Sequence, residues 1–224
     1  GYGDSRAVGR ERFTEFVELG GLRPEDDVLE VGCGTGRLAL GFVDYLSSGS
    51  YVGFDIIPES IAWAQAHFTP HHPRFRFELA DVENRFYHPT GATSADAYRF
   101  PYDDSSFDFV IASSVFTHML EADIANYVRE ASRVLRRGGR FFASFFLVDE
   151  DVKPIGPFSE AVDGTLLVDS RIPEAAVAHR VTRVKSLFGT NGLNVDEERI
   201  YRGWWTGRSS ARSYQDLLIA RKST

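Results

Sequence analysis

The sequence predicts an α/β chain wound on both faces of a mostly parallel sheet. Three observations carry this. An apolar run, Val28, Leu29 and Val31, stops at Gly32, Gly34 and Gly36, and a helix-like stretch follows over residues 37–46, giving strand, tight turn and helix. Two further apolar runs, over 50–56 and 74–80, close on acids at Asp55 and Asp81, as strand ends at a binding crevice do. A third strand–helix–strand pattern then runs through 107–112, 122–135 and 140–148.

With 224 residues, 43% of them hydrophobic and 25% charged, the chain is expected to form one domain over 1–224. Lys+Arg 25 against Asp+Glu 32 gives a net charge of −7, which argues against a nucleic-acid partner. The cationic cluster Arg133, Arg136, Arg137 and Arg140 reads as the solvated end of a helix. A single cysteine, Cys33, allows no intramolecular disulfide and no thiolate metal cluster, and points to a reducing compartment. No apolar run approaches about 18 residues, so no membrane partner is expected and a cytoplasmic location is. The chain opens on Gly1 rather than methionine, which suggests a trimmed N-terminus.

In chain order, residues 1–22 read as an N-terminal helical cap with Phe13, Phe16, Val17 and Gly20 on one face, ended by Gly20, Gly21 and Pro24. At the glycine turn, residues without a Cβ that accept positive φ let a ligand lie against the backbone amides, and the helix that follows adds free N–H groups. A dinucleotide fingerprint needs glycine at its first, third and sixth positions. Counted from Gly32, the sixth position is Arg37, and the third glycine comes one residue early at Gly36. Glu30, inside the strand, would oppose a pyrophosphate and suits a cationic ligand better.

Asp55 follows the turn by about 20 residues, the spacing that lets a strand-end acid accept two hydrogen bonds from a ribose diol; the alternative is an N-cap for the helix that Pro58 opens. That helix is expected to bury Ile61, Ala62, Ala64, Ala66 and Phe68, and the next strand Phe75, Phe77 and Leu79. Asp81 could pair with an exocyclic amine while the Val82 N–H faces a ring nitrogen, or could be a surface turn carboxylate. Residues 83–106 form an irregular connection longer than most. Ser113 and Ser114 leave the strand 107–112 where the topology should reverse. His118 follows, with an unperturbed pKa suited to proton abstraction, or else as a helix-start histidine with a local hydrogen bond.

The helix over 122–135 presents Ile124, Val128, Ala131 and Leu135, and Gly138 and Gly139 are expected to stop it. Phe141, Phe142, Phe145 and Phe146 read as core. Residues 149–173, with Pro154, Gly156, Pro157 and Gly164, break the periodicity; 175–187 returns to a helical pattern; 194–201 and 214–221 read as the last two strands. Between these strands, Trp204 and Trp205 read as anchors of an acceptor pocket or a dimer contact.

The run Glu30-Val31-Gly32-Cys33-Gly34-Thr35-Gly36 closely resembles the first motif of class I S-adenosylmethionine-dependent methyltransferases. Asp81-Val82 matches their third motif, residues 100–108 resemble the lead-in to their fourth strand, and 134–139 resembles their Leu-Lys-Pro-Gly-Gly turn with Arg137 replacing proline. The likeness spans roughly 27–146. It implies a Rossmann-like, doubly wound, seven-stranded sheet closed by a C-terminal antiparallel hairpin, with S-adenosylmethionine as cofactor and S-adenosylhomocysteine as product. It places the cofactor on Glu30, Gly32, Cys33, Gly34, Gly36, Arg37, Asp55, Ile56, Asp81, Val82, Ser113 and Ser114, with Tyr2 closing over it. Loops 83–106 and 149–173 become acceptor-site loops and His118 a candidate base.

Absences narrow the class. Ala-Ser-Ser-Val follows strand four where nucleic-acid amino-group methylases carry Asn/Asp-Pro-Pro-Tyr, and Cys33 lies inside the glycine turn rather than at a nucleophile's place. The paired-glutamate hairpin of protein arginine methylases and a magnesium-binding acidic cluster are also missing. What remains is metal-independent transfer to a small-molecule acceptor, through a hydroxyl group, by a monomer or homodimer. Two alternatives stay open: a noncatalytic S-adenosylmethionine-binding module, and a nicotinamide-dependent oxidoreductase, which the glycine spacing and Glu30 oppose.

Overall fold

A computed structural model describes residues 5–149, 157–161, 165–207 and 211–224; Tyr2, Pro154, Gly156 and Gly164 lie outside the described residues. The chain runs as α1 (Ser5–Glu18), β1 (Val28–Val31), α2 (Ala39–Val43), β2 (Tyr51–Asp55), α3 (Pro58–His67), β3 (Phe75–Leu79), β4 (Phe107–Ala112), α4 (Glu121–Val134) and β5 (Leu135–Phe145). It continues through β6 (Leu147–Val148), β7 (Ser159–Glu160), β8 (Leu166–Leu167), β9 (Val177–Arg180), α5 (Val181–Thr190), β10 (Leu193–Asn194), β11 (Ile200–Tyr201) and β12 (Asp216–Lys222).

The main sheet has the order β10-β12-β5-β4-β1-β2-β3, with β11 also paired to β12. β1 to β5 are parallel to one another, and β12 runs antiparallel to β5. β10 and β11 both pair antiparallel with β12, so the expected C-terminal hairpin forms with its first strand broken by a 3-10 turn at Glu197–Arg199. The chain steps outward from β1 to β3, then returns to place β4 on the other side of β1. This reversal opens a crevice at the carboxyl ends of β1 and β4.

Period-two alternation sends side chains to opposite faces. Leu29 and Val31 of β1 with Val110 and Ala112 of β4 meet Ile124, Val128 and Ala131 of α4 and Phe188 of α5. Val28, Phe109 and Ile111 point the other way, against Phe16, Phe42, Ile61 and Ala64 from α1, α2 and α3. Both faces are covered, which is why β1 and β2 are buried along their whole length.

Several local expectations are corrected. α2 covers only Ala39–Val43, because the positive φ of Gly36 delays the helix and the Ser47 N–H bonds to Pro24 at 2.8 Å pull the chain out of it. α3 buries Ile61, Ala64 and Phe68 but exposes Ala62 and Ala66, and Leu79 at the end of edge strand β3 is exposed. α4 stops at Val134, ahead of Gly138 and Gly139, which fall inside β5; Gly138 there has φ 73°, beside the register shift between Phe107 and Phe109. The arginines are not a solvated helix end. Arg140 is buried on Asp26 at 2.8 Å, Arg133 pairs with Glu130 and Asp104 at 2.7 Å, Arg136 bridges Asp27 and Asp108, and Arg137 alone of the four is exposed.

A second sheet, β6-β9-β8-β7, takes the place of part of the predicted 149–173 loop and of the first turn of the predicted 175–187 helix. Val177 and Ala178 are buried there rather than helical. Phe146 leaves the main core to join Phe158, Leu166 and Ala178 in a small cluster packed by Trp205. Trp205 donates its indole N–H to Asp216 at 2.6 Å, while Trp204 is exposed against the Tyr214 ring at 4.4 Å. No helix among the described residues is long and apolar enough to cross a membrane.

Candidate functional site

A cavity of about 350 Å³ opens at the carboxyl ends of β1, β2 and β4. Val31 and Gly32 come from the first strand end, Asp55 and Ile56 from the second, and Ser114 and Val115 from the fourth. Val82 closes the side beyond β3, and the loop after it contributes Glu83, Asn84, Arg85, Tyr87 and Asp96.

Asp55 is fixed by the turn it faces. Its Oδ2 accepts the Gly34 N–H at 2.7 Å and its Oδ1 the Ile57 N–H at 2.9 Å. Asp55 is not itself the helix cap: the cap position of α3 is Ile57, whose own side chain makes no cap hydrogen bond. Each carboxylate oxygen has a second lone pair, so the cavity side of Asp55 can still accept from a ligand. Gly32 has φ 72°, and a Cβ added there would come within 2.5 Å of Val115 Cγ2. Glycine at this place keeps the wall open.

The remaining turn residues are placed elsewhere. Gly34 touches the site through its N–H on Asp55, and Gly36, with φ 78°, faces the Phe77 ring. Glu30 is not in the cavity wall: it is buried beneath the turn, where it accepts the Tyr51 hydroxyl, and burial, with Asp55 nearby, pushes its pKa up to about 8. A carboxylate suited to a cationic ligand is the expectation there, and a buried acid whose pKa is raised by burial is found. Cys33 is also buried outside the wall, its thiol raised by burial and packed where a Gly53 Cβ would be. Arg37 is exposed in the turn, with its backbone beside Gly9 of α1. Asp81 turns away from the cavity: its carboxylate accepts the Ala92 N–H at 3.2 Å and lies 3.2 Å from His88 Nε2, which holds its pKa down. The geometry of Asp81 is thus that of the surface turn carboxylate. Ser113 stands just outside the wall; Ser114, with φ 59°, lines it, donating its backbone N–H to Ser144 at 2.7 Å and its hydroxyl to Gln215 at 2.9 Å.

His118 lines the opposite end. Its Nδ1 lies 3.0 Å from the Glu174 carbonyl oxygen, which can only accept, so Nδ1 carries the proton and Nε2 the lone pair of the neutral ring. The Tyr87 hydroxyl sits 3.4 Å from Nε2. Burial lowers the His118 pKa below its ordinary value, against the raising effect of backbone bonds to Glu174 and Ala175, which favours the neutral ring. Asn84 reaches the His118 carbonyl at 3.1 Å, which ties the 83–106 loop to this end.

Sequence reasoning missed Glu174 and Asp123, whereas Tyr87 belongs to the 83–106 loop expected at the acceptor site. Glu174 stands one residue past the predicted 149–173 loop, in a 3-10 turn at Pro173–Ala175 that no periodicity announces. Asp123 holds the start of α4 through the Leu120 N–H at 3.2 Å. Neither tryptophan of the pair lines the cavity, and among the described residues of 149–173 none does.

A methyltransferase domain family model matches residues 29–143. The chain is 32% identical over 153 residues to 27-O-demethylrifamycin SV methyltransferase of Amycolatopsis mediterranei, covering 66% of this chain and 50% of that protein. It is 32% identical over 123 residues to an arsenite methyltransferase of Aquipseudomonas alcaligenes, covering 54% and 33%. The chain therefore spans half or less of the length of these curated relatives. Among solved structures, human N-acetylserotonin methyltransferase in complex with SAM superposes with a TM-score of 0.61 at 19% identity, over 96% of this chain and 52% of that one. That likeness is one of fold.

Proposed function

The chain belongs to the methyltransferase domain family, and on that premise we propose that it moves a methyl group from S-adenosylmethionine to a hydroxyl group of a small-molecule acceptor, without a metal. The observation that carries this reading is that Asp55, held by the Gly34 and Ile57 N–H groups, and His118, with Nδ1 on the Glu174 carbonyl, line one cavity.

The residues fit the cofactor. Gly32 leaves the wall open where any Cβ would strike Val115, and Asp55 offers lone pairs toward a ribose diol. On the side of Ile56 and Val82 the wall carries the carboxylates Asp55 and Glu83. Such a pair suits a ligand with a sulfonium and an ammonium and opposes the pyrophosphate of a nicotinamide dinucleotide. When bound, S-adenosylmethionine supplies a methyl group on positively charged sulfur, and the carbon–sulfur electron pair stays with sulfur as the acceptor oxygen forms its bond to carbon.

The protein's part is placement and proton removal. Gly32, Ile56, Val82 and Ser114 shape the cofactor half of the wall. His118 Nε2 takes the hydroxyl proton, and the Glu174 carbonyl keeps the ring in the tautomer that can do so. The 83–106 loop covers the acceptor half. The relative acting on a rifamycin precursor supports a small organic acceptor.

Calorimetric titration with S-adenosylmethionine and S-adenosylhomocysteine tests the reading. Saturable binding that Asp55→Ala weakens is the expected result; a folded protein that binds neither compound refutes it.

A further inference from the structure

At the His118 end of the cavity the charges are unbalanced in one direction. Glu174 is 9% exposed, and its Oε2 is buried with no hydrogen-bond partner among the described residues. Its other oxygen, Oε1, lies 3.9 Å from Nε of Arg85, whose side chain is 67% exposed and hydrated. A buried carboxylate oxygen left in this way is costly unless a ligand completes it. Asp123 lies close by; burial and the fields of Asp96 and Glu174 hold its carboxyl above the ordinary range, even though the Leu120 N–H pulls the other way. Three carboxylates thus face one space with one solvated arginine beside them.

The surrounding wall narrows what would relieve this. Among the described residues no group of His, Cys, Asp and Glu could hold a metal ion, so the carboxylates are spread too widely for a bare cation. Aromatic rings stand at the same end: Tyr87 is edge-on to His118 at 5.1 Å and to Phe86 at 4.8 Å, and Tyr127 lines the wall. Aromatic faces and carboxylates together are the surroundings that recognise an organic ammonium group. Asp55 is already engaged by the Gly34 and Ile57 N–H groups.

We propose that the acceptor is a small hydroxylated primary amine, whose ammonium group is held by Glu174 and Asp123 while its hydroxyl is presented to His118. This rests on the methyl-transfer reading of the site. It also accounts for which atom reacts. An ammonium nitrogen has no lone pair, so the carboxylates that hold it keep it from competing with the hydroxyl, whose proton goes to His118 Nε2. Acceptors carrying phosphate or carboxylate groups are repelled by the same wall.

The test uses protein saturated with S-adenosylhomocysteine at pH 7, titrated calorimetrically with tyramine and glucosamine and with their neutral counterparts 4-ethylphenol and glucose. At least one amine should bind tenfold or more tighter than its counterpart. Glu174→Gln should erase that preference while S-adenosylhomocysteine affinity stays within twofold, and Asp123→Asn should reduce it separately, so that a folding failure of one variant leaves the other. The proposal is overturned if neither amine outbinds its counterpart, if the preference survives both substitutions, or if the substitutions weaken the cofactor product instead. Failure of the unsubstituted protein to bind S-adenosylhomocysteine would mark the methyl-transfer reading itself as wrong, and the amine proposal with it.

Discussion

Glu30 offers a direct test of how the motif is built. Its carboxyl lies 2% exposed under the glycine turn, accepting the Tyr51 hydroxyl, and its pKa is moved from the ordinary 4.5 to about 8, first by burial and then by Asp55, against the pull of Tyr51 and Arg37. Because the folded-state value is raised, the folded chain keeps a proton that the unfolded chain has already lost between these two values. The contribution to stability is therefore fully present below pH 4.5 and is lost as pH rises through 8. Each pH unit in that window costs about 1.4 kcal/mol, on the order of 4 kcal/mol between pH 5 and 8. Glu30→Gln keeps the shape and an acceptor oxygen for Tyr51 but has no proton to lose. Urea unfolding of both proteins at unit intervals from pH 5 to 9 isolates this one group, since all others titrate alike in the two chains. The wild-type free energy should fall relative to the variant up to about pH 8 and then run parallel to it. Parallel curves across the whole range would refute the claim that Glu30 is held protonated.

Asp55→Asn should weaken S-adenosylhomocysteine binding about tenfold to a hundredfold, because an amide in place of the carboxylate sets N–H against the Gly34 or Ile57 N–H and loses one of the two bonds; calorimetry reads it. His118→Gln should cut turnover about a hundredfold to ten-thousandfold at pH 7 with cofactor affinity unchanged, and wild-type kcat should fall on an acid limb below pH 6.5, the side to which burial moves this ring. Gly32→Ala should abolish cofactor binding and lower Tm, since the new methyl meets Val115 at 2.5 Å, whereas Gly34→Ala, with φ 53° and nothing within 4 Å, should cost only about 1–2 kcal/mol of left-handed strain.

The parallel half of the fold was legible because it is written in local signals. Val28 to Val31, Tyr51 to Asp55 and Phe107 to Ala112 are apolar runs with no polar interruption except Glu30 and Asp108, and they are what a sheet buried on both faces needs. The place of Asp55 in the cavity wall was legible as well, since one helix and one strand fix its spacing from the glycines. The surroundings of Glu30, inside β1, and of Asp81, two residues past β3, were not legible, because place in the sequence does not tell which neighbour claims a carboxylate. Tyr51 claims the first and Ala92 the second, and neither partner is near in sequence. The C-terminal third was the least legible. Val177 to Arg180 has a helix-compatible composition, and its pairings with Leu166 and Leu167 on one side and with Leu147 and Val148, about 30 residues earlier, on the other make it a strand. Glu174 was hidden with it, because it reaches the cavity only after that second sheet has turned the chain back.

Among the described residues, that second sheet and the turn at Glu174 meet the rest of the chain along β6 and β9, at the cluster packed by Trp205, and beside His118. Leu147 and Val148 pair with His179 and Arg180, His179 Nε2 lies 3.0 Å from the Phe116 carbonyl, and Asp216, wholly buried, accepts the Leu147 N–H at 2.7 Å on Oδ2 and the Gly203 N–H at 2.8 Å on Oδ1. Chain whose two ends are paired in a ladder, as β6 and β9 are, can be lengthened or exchanged between them at small entropic cost, because those ends are already brought together. Exchanging the segment between Val148 and Val177 would change what stands beside His118, the Glu174 carbonyl on its Nδ1 included, and leave the glycine turn and Asp55 untouched. For an engineer seeking a new acceptor range, the boundaries of the graft are already drawn at Val148 and Val177.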